Sequence, residues 1–199
     1  MTSKMAVAIP PPIDSPQDPT RQAFADYLAK AGLDQKEHQF EAVDWCTHRE
    51  REGSMAGNTR CRGGLVADEM GLGKTIEMIG TMAANPLPHT LIVVPLSLLR
   101  QWADALRKGK MYTPMVYHGP GKARLKPEEI AGATVVLTTY GTLATAAQAE
   151  KPGPLHDHTW DRIVCDEAHH LRNRRTKAHA GMAKIQSPIR WLLTGTPIQ

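Results

Sequence analysis

Short apolar runs alternate with helical segments along most of this sequence. We predict strands at six of these runs, which lie at residues 64–67, 91–94, 115–117, 134–138, 162–165 and 191–193. Several runs are apolar at every position, which is typical of strands in a parallel sheet that is buried on both faces. The segments between them suit crossover helices. The pattern therefore predicts an α/β fold with an open, mostly parallel sheet and helices on both faces.

Two helices are predicted before the first of these strands. Apolar residues recur at helical spacing between residues 20 and 31, and Gly32 offers an end to that helix. Asp34 and Glu37 have the spacing of a capping box, so we predict a second helix from this point. Residues 53–58 are polar and contain glycine, and they are predicted to form a loop.

The composition of the chain indicates where its folded domain begins and which partners its charge permits. Residues 1–19 contain five prolines and few large apolar side chains, so they are predicted to be a disordered leader, with a single domain at residues 20–199. The chain carries 24 Lys and Arg against 20 Asp and Glu, a net charge of +4 that permits a polyanionic partner. No apolar stretch approaches the roughly 18 residues of a membrane span. We therefore expect no membrane partner.

The sequence ADEMGLGKTIE, at residues 67–77, follows a predicted strand and opens a segment with helical spacing. Glycine-rich turns in this context bind phosphate, because free backbone N–H groups and the start of a helix attract anions. Lys74 can reach the β and γ phosphates of a nucleotide, and the Thr75 hydroxyl can ligate Mg²⁺. The general pattern has a further glycine where Asp68 stands. The predicted cofactor-binding turn comprises Gly71, Leu72, Gly73, Lys74 and Thr75.

A second candidate group, the sequence DEAH, follows the predicted strand at residues 162–165. Asp166 would emerge at the carboxyl end of that strand and hold Mg²⁺ through water, and Glu167 can orient or deprotonate the attacking water. An acidic pair alone is a weak signal, but an upstream phosphate turn makes it a strong one. Lys74, Asp166 and Glu167 are therefore the predicted catalytic residues. His169 is predicted to connect this site to neighbouring motifs, and His170 is expected to serve the surface or packing.

Six motifs in a fixed order give the sequence a specific family resemblance. They are HQFEAVDW from His38, ADEMGLGKTIE from Ala67, LIVVPLSLLRQW from Leu91, VLTTYGTL from Val136, DEAHHLRN from Asp166 and LLTGTPIQ from Leu192. In this series the chain resembles the first RecA-like lobe of the Swi/Snf-type DNA translocases of helicase superfamily 2. Residues 63–64 and the sequence LRNRRTKAHA resemble the subgroup associated with post-replication repair and ubiquitin-ligase domains.

The resemblance implies a RecA-like P-loop lobe that binds ATP and Mg²⁺ and hydrolyses ATP to drive movement on double-stranded DNA. Gln39 would read the adenine edge. Thr194, Gly195 and Thr196 would couple the state of the nucleotide to the nucleic-acid surface. The adenine motif departs from the family pattern, with Lys36 and His38 where an arginine and a tyrosine are usual.

The resemblance also implies a DNA-binding surface. Residues 95–102, which include Pro95 and Arg100, and the later Thr138, Thr139 and Tyr140 would touch the phosphates of one strand. A basic cluster after the acidic motif agrees with that surface, although each charge alone is more often only solvated. This cluster comprises Arg172, Arg174 and Arg175. Nucleosomes and repair proteins are further partners that the family implies.

Nothing in these 199 residues resembles the second RecA-like lobe, which brings the arginine finger in this family. We therefore expect the chain alone to be a half-motor with weak turnover and no productive translocation. The alternative hypothesis is a truncated regulatory module that binds nucleotide or DNA without turnover. An RNA helicase is disfavoured, because DEMGLGKT and TGTPIQ are closer to the DNA-translocase forms. The expected location is the nucleus in a nucleated cell and the cytoplasm otherwise.

Overall fold

The computed structural model of this chain describes residues 18–69, 71–146, 148 and 153–196. Most of the predicted leader, at residues 1–17, lies outside the described residues, as do the last three residues of the final motif. The first helix begins one residue before its predicted start, at Pro19. Asp18 caps this helix, because its side chain accepts a hydrogen bond from the Thr20 N–H at 2.8 Å.

The described residues form eight α-helices, which extend over the following ranges: α1 Pro19–Ala31, α2 Glu37–Arg51, α3 Lys74–Ala84, α4 Leu99–Lys108, α5 Pro127–Ala131, α6 Tyr140–Ala146, α7 Pro154–Asp157 and α8 Lys177–Ala183. The predicted capping box at Asp34 is wrong, because α2 begins at Glu37 without a side-chain cap. The Glu37 carboxylate instead pairs with Arg21 of α1 at 2.9 Å.

Seven strands form one sheet, and six of them confirm the predicted strands. Their bounds are β1 Ser54–Ala56, β2 Thr59–Val66, β3 Thr90–Val94, β4 Met115–Val116, β5 Val135–Thr139, β6 Arg162–Cys165 and β7 Ile189–Leu193. The loop predicted at residues 53–58 is wrong in part, because it contains β1. A two-residue turn at Gly57 and Asn58 joins β1 to β2, and Gly57 has φ 61°. A three-residue strand is too short to show an alternating pattern.

The sheet has the strand order β1-β2-β7-β6-β3-β5-β4, and only the β1–β2 pair is antiparallel. The other six strands run in one direction, so their carboxyl ends lie at one edge. One apolar core packs α1 to α4 against one face, and a second packs α6 and α8 against the other. The predicted open α/β fold is confirmed.

Candidate functional site

The candidate residues follow the carboxyl ends of neighbouring strands. Along this edge the phosphate turn comes after β2, Thr194 after β7 and Asp166 after β6. Pro95 after β3 and Tyr140 after β5 continue the row. In open α/β sheets ligands bind outside this edge, because the loops there surround a crevice. The topology therefore brings together motifs that are far apart in sequence.

The phosphate turn has the backbone that a glycine-rich turn requires. Gly71 has φ 92° and Gly73 has φ 103°, a region that side chains other than glycine rarely enter. A Cβ at Gly73 would also lie 2.2 Å from Nε2 of Gln39. Helix α3 begins directly after this glycine, so its unpaired N–H groups face the turn. Lys74 Nζ donates to the carbonyls of Asp68 at 2.7 Å and Glu69 at 3.0 Å.

Gln39 supports this turn from α2. It is buried, and its amide Nε2–H donates to the Leu72 carbonyl at 3.1 Å. Nε2 of His38 lies 3.4 Å from the same oxygen. The structure therefore directs the Gln39 amide onto the phosphate turn, and its adenine-reading role stays a prediction.

One cavity of about 930 Å³ brings the two candidate groups together. Its lining includes Gly71, Gly73, Lys74, Thr75, Asp166 and Glu167. The donor set suits a metal–nucleotide complex, because carboxylate and hydroxyl oxygens are the ligands that Mg²⁺ prefers and Lys74 supplies the positive charge for phosphate. Side chains that the sequence did not single out for this site also line it, among them Tyr27, Arg107 and Lys108.

Asp166 is almost fully buried and is held by hydrogen bonds from three segments. Trp102 Nε1–H donates to Oδ2 at 2.7 Å, and the Glu167 N–H donates to Oδ1 at 2.8 Å. The Tyr140 hydroxyl donates to the Asp166 carbonyl at 2.6 Å. No ion pair joins this carboxylate to a cation in the described part of the chain. Asp166 lines the same cavity as Lys74.

Glu167 has φ 49°, so its backbone lies in the left-handed region that glutamate rarely adopts. Such strain persists only where the surrounding structure imposes it, and it is frequent at functional sites. Oε2 of Glu167 lies 3.1 Å from Nδ1 of His169. His169 therefore contacts the candidate water-activating carboxylate directly. The His170 ring packs near Tyr140, with 5.3 Å between the ring centroids.

Glu77 is a buried carboxyl group that the sequence reading missed. It lies one turn into α3, only 2% exposed, and Oε2 has no hydrogen-bond partner among the described residues. Its pKa is raised to about 7, chiefly by burial and also by the neighbouring Asp68, whereas Lys74 acts to lower it. The sequence could have indicated this residue, because Glu77 is an acidic residue in a helix whose other buried positions are apolar or small.

The candidate coupling residues lie between the phosphate turn and the acidic pair. The buried Thr194 donates its N–H to the Val66 carbonyl at 3.1 Å, at the end of β2. Its hydroxyl accepts a hydrogen bond from the Thr196 N–H at 3.2 Å. Gly195 is half-buried and Thr196 is exposed. This placement is compatible with a coupling role, which stays a prediction.

A second groove, of about 510 Å³, contains part of the predicted nucleic-acid surface. Pro95, Thr139 and Tyr140 line it. His118, Lys122, Thr142, Thr145 and His170 line the same groove and were not predicted. None of the described lining residues is a carboxylate, so the groove offers hydroxyl, imidazole and ammonium groups. These groups suit an anion such as a phosphate.

Two residues of the predicted DNA-contacting segments have buried side chains, and DNA contact by these segments stays a prediction. Thr138 is fully buried, and its hydroxyl donates to the Tyr117 carbonyl at 2.8 Å. Trp102, the last residue of the predicted segment 95–102, is also fully buried. Both residues point into the core because they lie on a central strand and on the inner side of a helix. Thr139 and Tyr140 are also nearly buried, but both line the groove.

The predicted basic residues lie on the surface. Arg100 has a 94% exposed side chain, with its Nε 3.7 Å from Asp104 one turn further along α4. Arg172, Arg174 and Arg175 are exposed between β6 and α8. Whether these charges contact DNA stays a prediction. In the described residues, no helix is long and apolar enough to cross a membrane.

The fold and the cavity define an α/β nucleotide-binding lobe of the P-loop class. The family model of the SNF2-related domain matches residues 38–199, and the chain belongs to this family of helicase-like ATPase domains. A probable global transactivator from Orgyia pseudotsugata multicapsid polyhedrosis virus is 38% identical over 172 residues, which cover 81% of this chain and 32% of that protein. The DNA repair protein rad8 from Schizosaccharomyces pombe is 36% identical over 167 residues, covering 69% of this chain and 15% of that protein.

A solved structure shares the same fold. The Sulfolobus solfataricus SWI2/SNF2 ATPase core in complex with double-stranded DNA matches with a TM-score of 0.69 and 28% identity, over 83% of this chain and 32% of that one. The predicted family and fold are confirmed. The chain spans a third or less of the length of each of these proteins.

Proposed function

We propose that this chain binds ATP with Mg²⁺ and forms the first half of an ATP-driven motor on double-stranded DNA. The observation that carries the proposal is the cavity shared by the phosphate turn and the acidic pair. Family membership supports the use of ATP, and the DNA complex of the archaeal relative supports the nucleic-acid partner.

Each residue would have a separate task in this cavity. The N–H groups of the turn and Lys74 would bind the phosphates, and Thr75 with Asp166 would hold the metal, which supplies the positive charge that stabilises phosphoryl transfer. Glu167 would orient or deprotonate the attacking water, with His169 holding its carboxylate. Gln39 would keep the turn in its binding conformation. The products would be ADP and phosphate.

The groove beside this cavity would follow one strand of DNA by its phosphates. Lys122 supplies positive charge, and the hydroxyl and imidazole groups that line the groove are the kinds of group that bind phosphate oxygens. Contacts of this kind carry no sequence information, so binding would be independent of sequence and sensitive to salt. Thr194, Gly195 and Thr196 would transmit the state of the nucleotide towards this surface.

Complete turnover and movement would require a second lobe that supplies an arginine finger. The chain alone would then bind nucleotide and hydrolyse it weakly or not at all. Nucleosomes and repair proteins, and a nuclear location, are parts of the proposal that rest on the family.

Calorimetric titration of the chain with ATP in the presence of Mg²⁺ tests the nucleotide site. Lys74→Ala should weaken binding about tenfold or more, because it removes the cation that meets the β and γ phosphates. Lys108→Ala removes another lysine of the same cavity, distant from the turn in sequence, and should have a smaller effect. Equal affinity of the wild type and the Lys74 variant, with circular dichroism unchanged, would contradict the proposal.

A further inference from the structure

The carboxylate of Asp166 has a partner that the proposed chemistry does not use. Trp102 lies 64 positions earlier in the chain, on α4, and its ring is fully buried. Its Nε1–H donates to Oδ2 of Asp166 at 2.7 Å, a short distance that is typical of a hydrogen bond to a charged acceptor. An indole N–H is a donor only, so Trp102 cannot itself ligate a metal.

The remaining contacts of Asp166 fix the rest of the residue. Its N–H donates to the Val93 carbonyl at 2.9 Å, and its own Oδ1 accepts from the Glu167 N–H. The Tyr140 hydroxyl, which stays protonated because burial and nearby carboxylates raise its pKa, donates to the Asp166 carbonyl. Each carboxylate oxygen has one internal donor and can still accept from or ligate a further partner, and the residue lines the cavity.

We propose that Trp102 is a positioning residue whose indole N–H holds the Asp166 carboxylate in the orientation that binds the metal of a metal–nucleotide complex. Without this donor, Oδ2 could rotate away from the cavity, because only the Glu167 N–H would still bind the side chain. Partners that hold a ligating carboxylate typically change metal affinity about 10- to 100-fold when removed. The proposal rests on the proposed function, since it assigns a metal to Asp166.

Trp102→Phe is the sharpest variant, because it removes the N–H donor and keeps an aromatic ring in the core. Trp160→Phe is its matched control. Trp160 is equally buried, and its Nε1–H donates to a backbone carbonyl, that of Leu155, at 2.9 Å. A loss caused by disturbed packing would affect both variants, and a loss caused by Asp166 would affect only the first.

The measurement is the affinity for the non-hydrolysable analogue AMP-PNP, titrated once with Mg²⁺ and once with EDTA. Trp102→Phe should lower the affinity about tenfold with Mg²⁺ and leave the affinity in EDTA unchanged. Trp160→Phe should leave both values unchanged. The inference alone is overturned if Trp102→Phe binds like the wild type, or loses the same factor in both conditions. A wild type that binds no nucleotide overturns the proposed function and this inference with it.

Nuclear magnetic resonance of the four tryptophan indole N–H groups tests the contact without changing Trp102. Asp166→Asn removes the charge that polarises the Trp102 N–H, so one indole proton signal should move upfield. Addition of Mg²⁺ and AMP-PNP to the wild type should shift the same signal. Indole signals that do not respond to Asp166→Asn would show that Trp102 is only packed in the core, and the inference would fail.

Discussion

Glu50 and Asp166 are two buried carboxylates that share one kind of partner and differ in all the others. Each accepts a hydrogen bond from a tryptophan indole, Glu50 from Trp191 at 2.8 Å and Asp166 from Trp102 at 2.7 Å. They lie beyond opposite ends of β6: Glu50 contacts Arg162, the first residue of that strand, and Asp166 follows its last.

The donors around Glu50 satisfy it completely. Arg162 pairs with both of its oxygens, and the Asn85 amide donates to Oε2 at 2.7 Å. This buried network ties α2 and the end of α3 to β6 and β7. The Asp166 carboxylate has two donors, no cation among the described residues, and a cavity in front of it. The difference teaches that Glu50, neutralised from within, holds elements of the fold together, whereas Asp166, which lines a cavity and has no ion-pair partner among the described residues, is placed to meet a ligand.

The largest expected effect is on the neutralised carboxylate. Glu50→Gln should lower the free energy of unfolding by about 3–5 kcal/mol, because it leaves the Arg162 guanidinium buried without a counter-charge. Urea denaturation followed by circular dichroism measures this. Asp166→Asn is the control and should leave the stability unchanged or raise it. If the Glu50 variant were as stable as the wild type, the conclusion that Glu50 stabilises the fold and Asp166 does not would be wrong.

At the functional end, Glu167→Gln should lower the rate of ATP hydrolysis about 100-fold or more while nucleotide still binds, because the variant keeps size and hydrogen bonding but loses the base. The assay needs a polypeptide that also carries the second lobe. If the Glu167→Gln variant hydrolysed ATP at the normal rate, another residue would have to activate the water. Unchanged urea stability would confirm that this loss belongs to chemistry and not to folding.

Glu77 provides a third carboxyl group, which is buried and has no ion pair among the described residues, although the nearby Lys74 acts to lower its pKa. Its pKa of about 7 in the folded protein is higher than in the unfolded chain. Below about pH 4 the group is protonated in both states, and stability is then lost as the pH rises to about 7. Glu77→Gln should therefore raise stability by about 1–3 kcal/mol at pH 8 and change little at pH 4.

The control for that experiment is Glu41→Gln, since Glu41 is exposed on α2. Its effect on stability should be the same at both pH values. If the increase in unfolding free energy caused by Glu77→Gln were the same at pH 4 and pH 8, burial of the ionised Glu77 carboxylate would not destabilise the fold.

The smallest effect concerns the exposed arginines. DNA binding by this chain should be independent of sequence, with a dissociation constant no tighter than ~10⁻⁴ to 10⁻⁶ M. Reversing Arg172, Arg174 and Arg175 to Glu should reduce the slope of log affinity against log salt by about 0.9 for each lost phosphate contact. Fluorescence anisotropy with a labelled duplex at several salt concentrations measures the slope.

Arg60→Glu with Arg62→Glu is the matched control, because these exposed arginines lie at the start of β2, away from the carboxyl edge of the sheet. The control should change the slope less than the cluster does. Equal slopes for the cluster variant and the wild type would show that the cluster is only solvated.

The phosphate turn and the acidic pair could be predicted from the sequence because their chemistry depends on residues that are close together in the chain. The phosphate turn needs glycines and a lysine within a few residues at the start of a helix, and Asp166 needs only the end of a buried strand. The local pattern did not show where α2 begins or that the Thr138 side chain is buried. Asp34 does not cap α2, because that helix begins at Glu37 and Lys36 occupies the cap position. Thr138 is buried because β5 lies inside a sheet that is covered on both faces.

The sequence by itself determined the order of the strands along the chain, the α/β class, the phosphate turn and the family. Hydrophobic period and short motifs carry that information, since both depend on residues that are neighbours in the chain. Only the tertiary structure decided that Trp102 holds Asp166, that Arg162 neutralises Glu50, and that His118 and Lys122 join Tyr140 in one groove. Such contacts span from 18 to 112 positions in the chain, and they exist only because the parallel sheet places distant strand ends side by side.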